Sequence, residues 1–121
     1  MTTQEVANSY VALANQNKWV ELQDQFHDDN VICREPEHVV SRGVQIITQG
    51  KEAVKTKGAA NREMMEALHS QYCSEPIVAG DFFSVVLKRD VTFKTRGRVQ
   101  VEEIGVFQVK DGKIILEQFF Y

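Results

Sequence analysis

The chain has 121 residues, 43% of them hydrophobic and 26% charged, the composition of one folded domain and not of a disordered segment. Its 14 lysines and arginines against 17 aspartates and glutamates leave a net charge of −3, which excludes a general pull toward nucleic acid or an anionic membrane. No apolar run nears the roughly 18 residues of a membrane-spanning helix. The polar segment Met1–Glu5 predicts no signal peptide. Cys33 and Cys73 lack metal or redox spacing and predict reduced thiols in a cytoplasmic protein.

The first half reads as helix. Thr2 and Glu5 fit a capping box, and Val6, Tyr10 and Leu13 then share one helical face. Asn17 is the expected cap of a second helix with the stripe Trp19, Leu22 and Phe26, closed by a turn at Asp28-Asp29-Asn30. Val31 to Arg34 predicts a short strand stopped at Glu35-Pro36, and Val44 to Thr48 a second one. A third helix is expected from about Lys51 to Ala67. Gly58 within it costs about 1 kcal/mol against alanine, which suggests a close approach or a break there.

From His69 the period changes to two. Strands are predicted over His69–Ala79, Phe82–Thr95, Arg98–Lys110 and Lys113–Tyr121. Gly80, Arg96-Gly97 and Asp111-Gly112 punctuate them, and Asp-Gly between alternating apolar residues is a strong hairpin signal. The expected class is α+β: one domain over 1–121, with three N-terminal helices packed on a strongly curved antiparallel sheet.

Three segments carry a family resemblance. They are Asn8-Ser-Tyr-Val-Ala-Leu-Ala-Asn15, Leu22-Gln-Asp-Gln-Phe-His-Asp-Asp-Asn30 with the following Glu35-Pro36, and the hairpin Val106 to Tyr121. With the element order, they make the chain resemble the SnoaL-like group of the nuclear transport factor 2-like superfamily, related to steroid delta-isomerase. The resemblance implies a cone with a deep apolar pocket, and a homodimer joined through the outer sheet face. It implies no single reaction, because the superfamily holds isomerases, cyclases, dehydratases, hydrolases and non-enzymatic binders.

By the resemblance, Tyr10 matches the isomerase's pocket tyrosine. Its oxyanion-holding aspartic acid is replaced by Gly105, which makes steroid isomerisation an unsuitable expectation. Glu35 stands near the general-base position. Arg34 holds the strictly matched place, so a one-residue bulge is needed to bring Glu35 to it. Without that bulge Glu35 is a solvated loop carboxylate.

Alternation selects the inward residues of the strands. Val99, Val101, Glu103, Gly105, Phe107 and Val109 form the apolar face, which puts the Glu103 carboxyl among hydrophobic neighbours. Ile115, Glu117, Phe119 and Tyr121 are expected to face inward together, making Glu117 a second inward carboxylate. On the strand before, Arg89 is the charged member of the inner face, and a bulge would turn Asp90 inward instead. His38 is either a proton shuttle near Glu35 or a surface histidine. Trp19, Phe26, Phe107 and Phe119 are the expected walls.

Candidate catalytic residues are therefore Glu35, Glu103 and Tyr10. Candidate ligand-binding residues are Trp19, Phe26, His38, Arg89, Asp90, Phe107, Glu117 and Phe119. His27, His38 and His69 lack ligand spacing, so neither a metal nor any other cofactor is expected. The stretch Lys88 to Arg98 has five basic residues and one acid but no groove-reading helix, and reads as a solvated hairpin arm or a dimer contact. The leading expectation is a small-molecule-binding domain, with or without cofactor-free acid–base chemistry on an apolar carbonyl or ring compound. A ligand carrier and a structural dimerisation domain are the alternatives.

Overall fold

The computed structural model describes every residue, Met1–Tyr121. Helix α1 (Thr3–Asn15) begins with the expected capping box: the Thr2 hydroxyl accepts from the Glu5 amide, and the Glu5 carboxylate from the Thr2 amide. Asn17 does not cap α2 (Trp19–Phe26). It takes the left-handed conformation, φ 58°, in the turn that ends α1, and Lys18 precedes α2 without a side-chain cap.

Helix α2 runs straight into β1 (His27–Arg34). Asp28-Asp29-Asn30 is thus no turn but the irregular part of a strand, whose register on β7 shifts between His27 and Ile32. A 3₁₀ helix (Glu37–Arg42), not foreseen from the sequence, starts after Pro36. Strand β2 is only Ile47–Gln49, and α3 (Lys51–Glu63) ends four residues earlier than predicted. Gly58 sits at a close approach. A Cβ there would lie 3.2 Å from the Gln23 amide nitrogen and from an Arg62 guanidinium nitrogen.

The predicted strand at His69–Ala79 is two strands, β3 (Met65–Cys73) and β4 (Ile77–Ala79), parted by Ser74-Glu75-Pro76. Both lie along one edge of β5 (Phe82–Phe93), where a proline without an N–H is tolerated. Strands β6 (Gly97–Lys110) and β7 (Lys113–Phe120) complete the sheet, in the order β2-β1-β7-β6-β5-β3 with β4 also on β5. All pairings are antiparallel except β1 with β7, which is parallel.

Strands β5 and β6 pair without a register shift from Phe82–Gln108 to Phe93–Gly97, so their predicted alternation survives intact. Between β6 and β7 the register slips at Gln108/Val109. The slip corrects the expected inner face of β7: Ile114, fully buried, takes the place foreseen for Ile115, while Glu117 still points inward. Helix α1 places Val6, Ala7, Tyr10 and Ala14 against this concave face, over Phe83, Val85, Phe107 and Ile114. Phe83 and Phe107 stack with ring centroids 4.7 Å apart.

Candidate functional site

A cavity of about 1470 Å³ opens between the helices and the concave side of the sheet. Of the expected site residues, Tyr10, Trp19, Glu35, His38, Arg89, Glu103, Glu117 and Phe119 line it. Three do not. Phe26 and Phe107 are core side chains, at 2% and 0% exposure, and Phe107 lies beneath the wall with its ring against Phe119 and Tyr10. Asp90 faces away from the cavity because no bulge interrupts β5, and its carboxylate accepts from Arg98 at 2.8 and 2.9 Å.

The floor is aromatic. The Tyr10 ring sits 4.6 Å from Phe107, 5.6 Å from Phe83 and 6.2 Å from Trp19. Burial first, then the charges of Glu117, Cys73 and Glu103, push the Tyr10 hydroxyl well above the usual phenol range, so it stays a proton donor. Gly105 has no room for a side chain. A Cβ there would stand 2.8 Å from two Phe107 ring carbons and 3.3 Å from Phe119. Aromatic packing fills the space beside this position.

Five glutamates line the cavity; Glu66 and Glu102 are exposed to solvent, while Glu35, Glu103 and Glu117 are set deeper and each meets a different environment. Glu35 accepts from Lys57 Nζ at 2.7 Å and from the Tyr121 hydroxyl at 2.8 Å. The backbone carbonyl of Tyr121 in turn meets His38 Nε2 at 2.8 Å, which ties His38 to the strand end and not to Glu35. The Cys33 thiol approaches the same group, 3.5 Å from Lys57 Nζ. Burial opposes the Lys57 charge, but Cys33 and Glu35 together hold its pKa above the ordinary lysine value. Burial and the Glu35 carboxylate raise the Tyr121 phenol, and burial raises the Cys33 thiol far out of its reactive range.

Glu117 is 5% exposed and faces His27 Nε2 at 2.8 Å, with His27 itself at 3%. His27 Nδ1, on the far side of the ring, meets no partner. Glu103 has no ion-pair partner. Desolvation raises its pKa; Arg89 works against the rise, and Glu35 and Glu117 add to it. Lys57 and His27 were not singled out from the sequence. Lys57 was legible in principle, three residues after Val54 on the buried face of α3. His27 was not, because it falls where helix turns into strand and neither period applies.

A family model for SnoaL-like domains matches residues 1–121. Among solved structures, a Mesorhizobium loti protein proposed to be a SnoaL-like polyketide cyclase is 33% identical, with a TM-score of 0.91 and 100% of each chain covered. A Catenulispora acidiphila protein of ketosteroid isomerase-like fold, crystallised with trimethylamine, is 16% identical, with a TM-score of 0.72 over 97% of this chain and 85% of that one. A protein named TerC, co-crystallised with polyporic acid, is 18% identical, with a TM-score of 0.77 over 98% of this chain and 90% of that one. No curated protein matches the chain.

Proposed function

Because the chain belongs to the SnoaL-like domain family over its whole length, we propose that it binds a small, largely apolar molecule in the cone and moves a proton on it without a cofactor. The reaction class is that of an isomerase, cyclase or dehydratase acting beside a carbonyl. Glu103 carries this reading: a carboxyl in the cavity wall, without an ion-pair partner, whose neutral form is favoured by burial. Such a group accepts or gives a proton closer to neutral pH than a solvated carboxylate does. Tyr10, kept protonated, is the donor to the substrate oxygen where negative charge develops. Glu35 is the second proton-moving candidate, but a carboxylate already holding an ammonium and a phenol is the weaker base.

Two proteins of this fold crystallised with small molecules, trimethylamine and polyporic acid, support a small-molecule ligand for this domain. Trp19 and Phe119 form the walls of the cone. The outer sheet face exposes Phe82, Ile104 and Phe120, which suits association with a second copy as a homodimer. The two free, buried cysteines suit a reducing compartment, the cytoplasm.

The test is a panel of cyclic and aryl ketones in D₂O, followed by NMR for exchange of the hydrogens next to the carbonyl, with Trp19 fluorescence reporting binding. Exchange that disappears in Glu103→Gln while the fluorescence response persists is the expected result. Exchange undiminished in Glu103→Gln sinks the assignment to Glu103. A fluorescence response without exchange of any ketone makes the domain a carrier.

A further inference from the structure

Taking the cone as a small-molecule site, we propose that Arg89 holds a carboxylate of the ligand, so that the substrate class is an apolar carboxylic acid whose reacting carbon lies beside Glu103. The starting observation is an unpaired cation. Arg89 lies on the inner face of β5, half-buried in the cavity wall, between Leu87 and Val91 on the same face and opposite Val101 on β6. It makes no ion pair. Of the other cations around the β5–β6 turn, Lys88 meets Glu102, Arg98 meets Asp90 and Arg96 lies over the Phe93 ring, 4.4 Å from its centroid, while Lys94 is unpaired but exposed to water; Arg89 is unpaired within the cavity wall. Gln71, opposite Arg89 on β3, turns its amide nitrogen to the Ala14 carbonyl, and no hydrogen bond joins it to Arg89.

Glu103 is the side chain that would ordinarily take Arg89. It pairs with Leu87, which puts it two residues along from Val101 and therefore on the diagonal from Arg89, about 7–8 Å away across the strands. Both side chains are long enough to meet across that diagonal, and they do not. The inner wall thus presents one free carboxyl and one free guanidinium side by side. A guanidinium withdrawn from water needs an anion, and its planar fork fits a carboxylate through two parallel hydrogen bonds. An acid bound in this way would hold its chain over Trp19 and Phe119 and bring the carbons near its carboxyl to Glu103.

The experiment compares 2-naphthoate, phenylacetate and octanoate, each against its own primary amide, by Trp19 fluorescence titration. For the wild-type protein the acid is expected to bind roughly 10-fold or more tightly than the amide, and the difference to shrink with added salt. Arg89→Gln is expected to lower each acid to the affinity of its amide and leave the amides unchanged. Arg89→Lys, which keeps the charge without the fork, should retain part of the preference. Circular dichroism reports whether each variant folds. Acids and amides that bind the wild type equally, or a preference that survives in folded Arg89→Gln, overturn the role of Arg89 while leaving the small-molecule site standing. Failure of every acid and every amide to bind overturns both.

Discussion

On the outer face of the β5–β6 hairpin, Asp90 receives two nitrogens of Arg98; one residue away on the inner face, Arg89 and Glu103 stand diagonal and unbridged. The strands, the register and the residue types are the same. The difference is what surrounds them. Outside, water screens the charges and an ion pair is a local convenience with little consequence for stability. Inside, Glu117 is buried and Glu35, Arg89 and Glu103 are half-buried in the cavity wall, so an unpaired charge there costs more than on the outer face and gains more from a ligand or a proton that completes it. Of the three inward carboxyls, Glu35 and Glu117 are completed by the protein itself and Glu103 is not. That contrast is the basis for assigning the chemistry to one face and one end of the sheet.

The strongest way to break the contrast is to make a completed inner carboxyl into an incomplete one. His27→Ala leaves Glu117, 5% exposed, with no partner on that oxygen and opens a cavity behind it. The expected loss is about 3–5 kcal/mol in urea denaturation, the scale for removing one member of a buried pair. A loss below about 1 kcal/mol would mean that water already reaches Glu117, and that the inner face is less dry than its burial implies.

Gly105→Ala tests how firmly aromatic packing closes that position to a side chain. The new methyl would lie 2.8 Å from the Phe107 ring, which is held between Phe83, Tyr10 and Phe119. Overpacking of this kind costs about 1–3 kcal/mol. Retention of full stability in Gly105→Ala would show that Phe107 can move, and would reopen the position to a polar side chain.

Much of this was legible in the sequence, and the boundary has a physical cause. Period-two alternation in β5 and β6 placed Arg89, Glu103 and Gly105 correctly because those strands pair without a slip. The slip between β6 and β7 displaced Ile115 from the inner face, since a bulge is set by pairing and leaves no mark in hydrophobicity. Phe26 and Phe107 were expected as pocket walls and are core, because alternation tells which face a residue takes and not how deep the packing runs there. The Lys57–Glu35–Tyr121 group joins α3, the residue that follows β1 and Tyr121, three segments that only the fold brings together.

Glu103→Gln sharpens the comparison with a small effect of predictable sign. Burial raises the folded-state pKa of Glu103 above the unfolded value of about 4.5. The folded protein therefore holds the proton to higher pH than the unfolded chain, and stability falls as pH rises from there through the folded pKa. Glutamine lacks that fall. The variant should match the wild type below pH 4 and equal or exceed its stability, by no more than about 1 kcal/mol, at pH 7. A large destabilisation at pH 7 would instead reveal a structural partner for the carboxylate and remove it from catalysis.

Asp90→Asn is the control on the other face and the smallest effect. Arg98 holds the Asp90 carboxyl below its ordinary pKa, first by hydrogen bonding and then by charge, with the opposing contribution of desolvation between them. A lowered pKa means that the pair's stabilisation is present above the unfolded pKa near 3.8 and is lost as pH falls through the lower folded value. Arg98 is largely exposed and the pair sits in water, so the substitution should barely move the urea midpoint at pH 7, and less still at high salt. Naphthoate affinity should not change at all, because Asp90 lies across the sheet from the cavity. Together with Arg89→Gln, this gives adjacent residues opposite outcomes. A change in ligand affinity from Asp90→Asn comparable to that from Arg89→Gln would show that the two faces communicate through β5, and the division of labour between them would have to be abandoned.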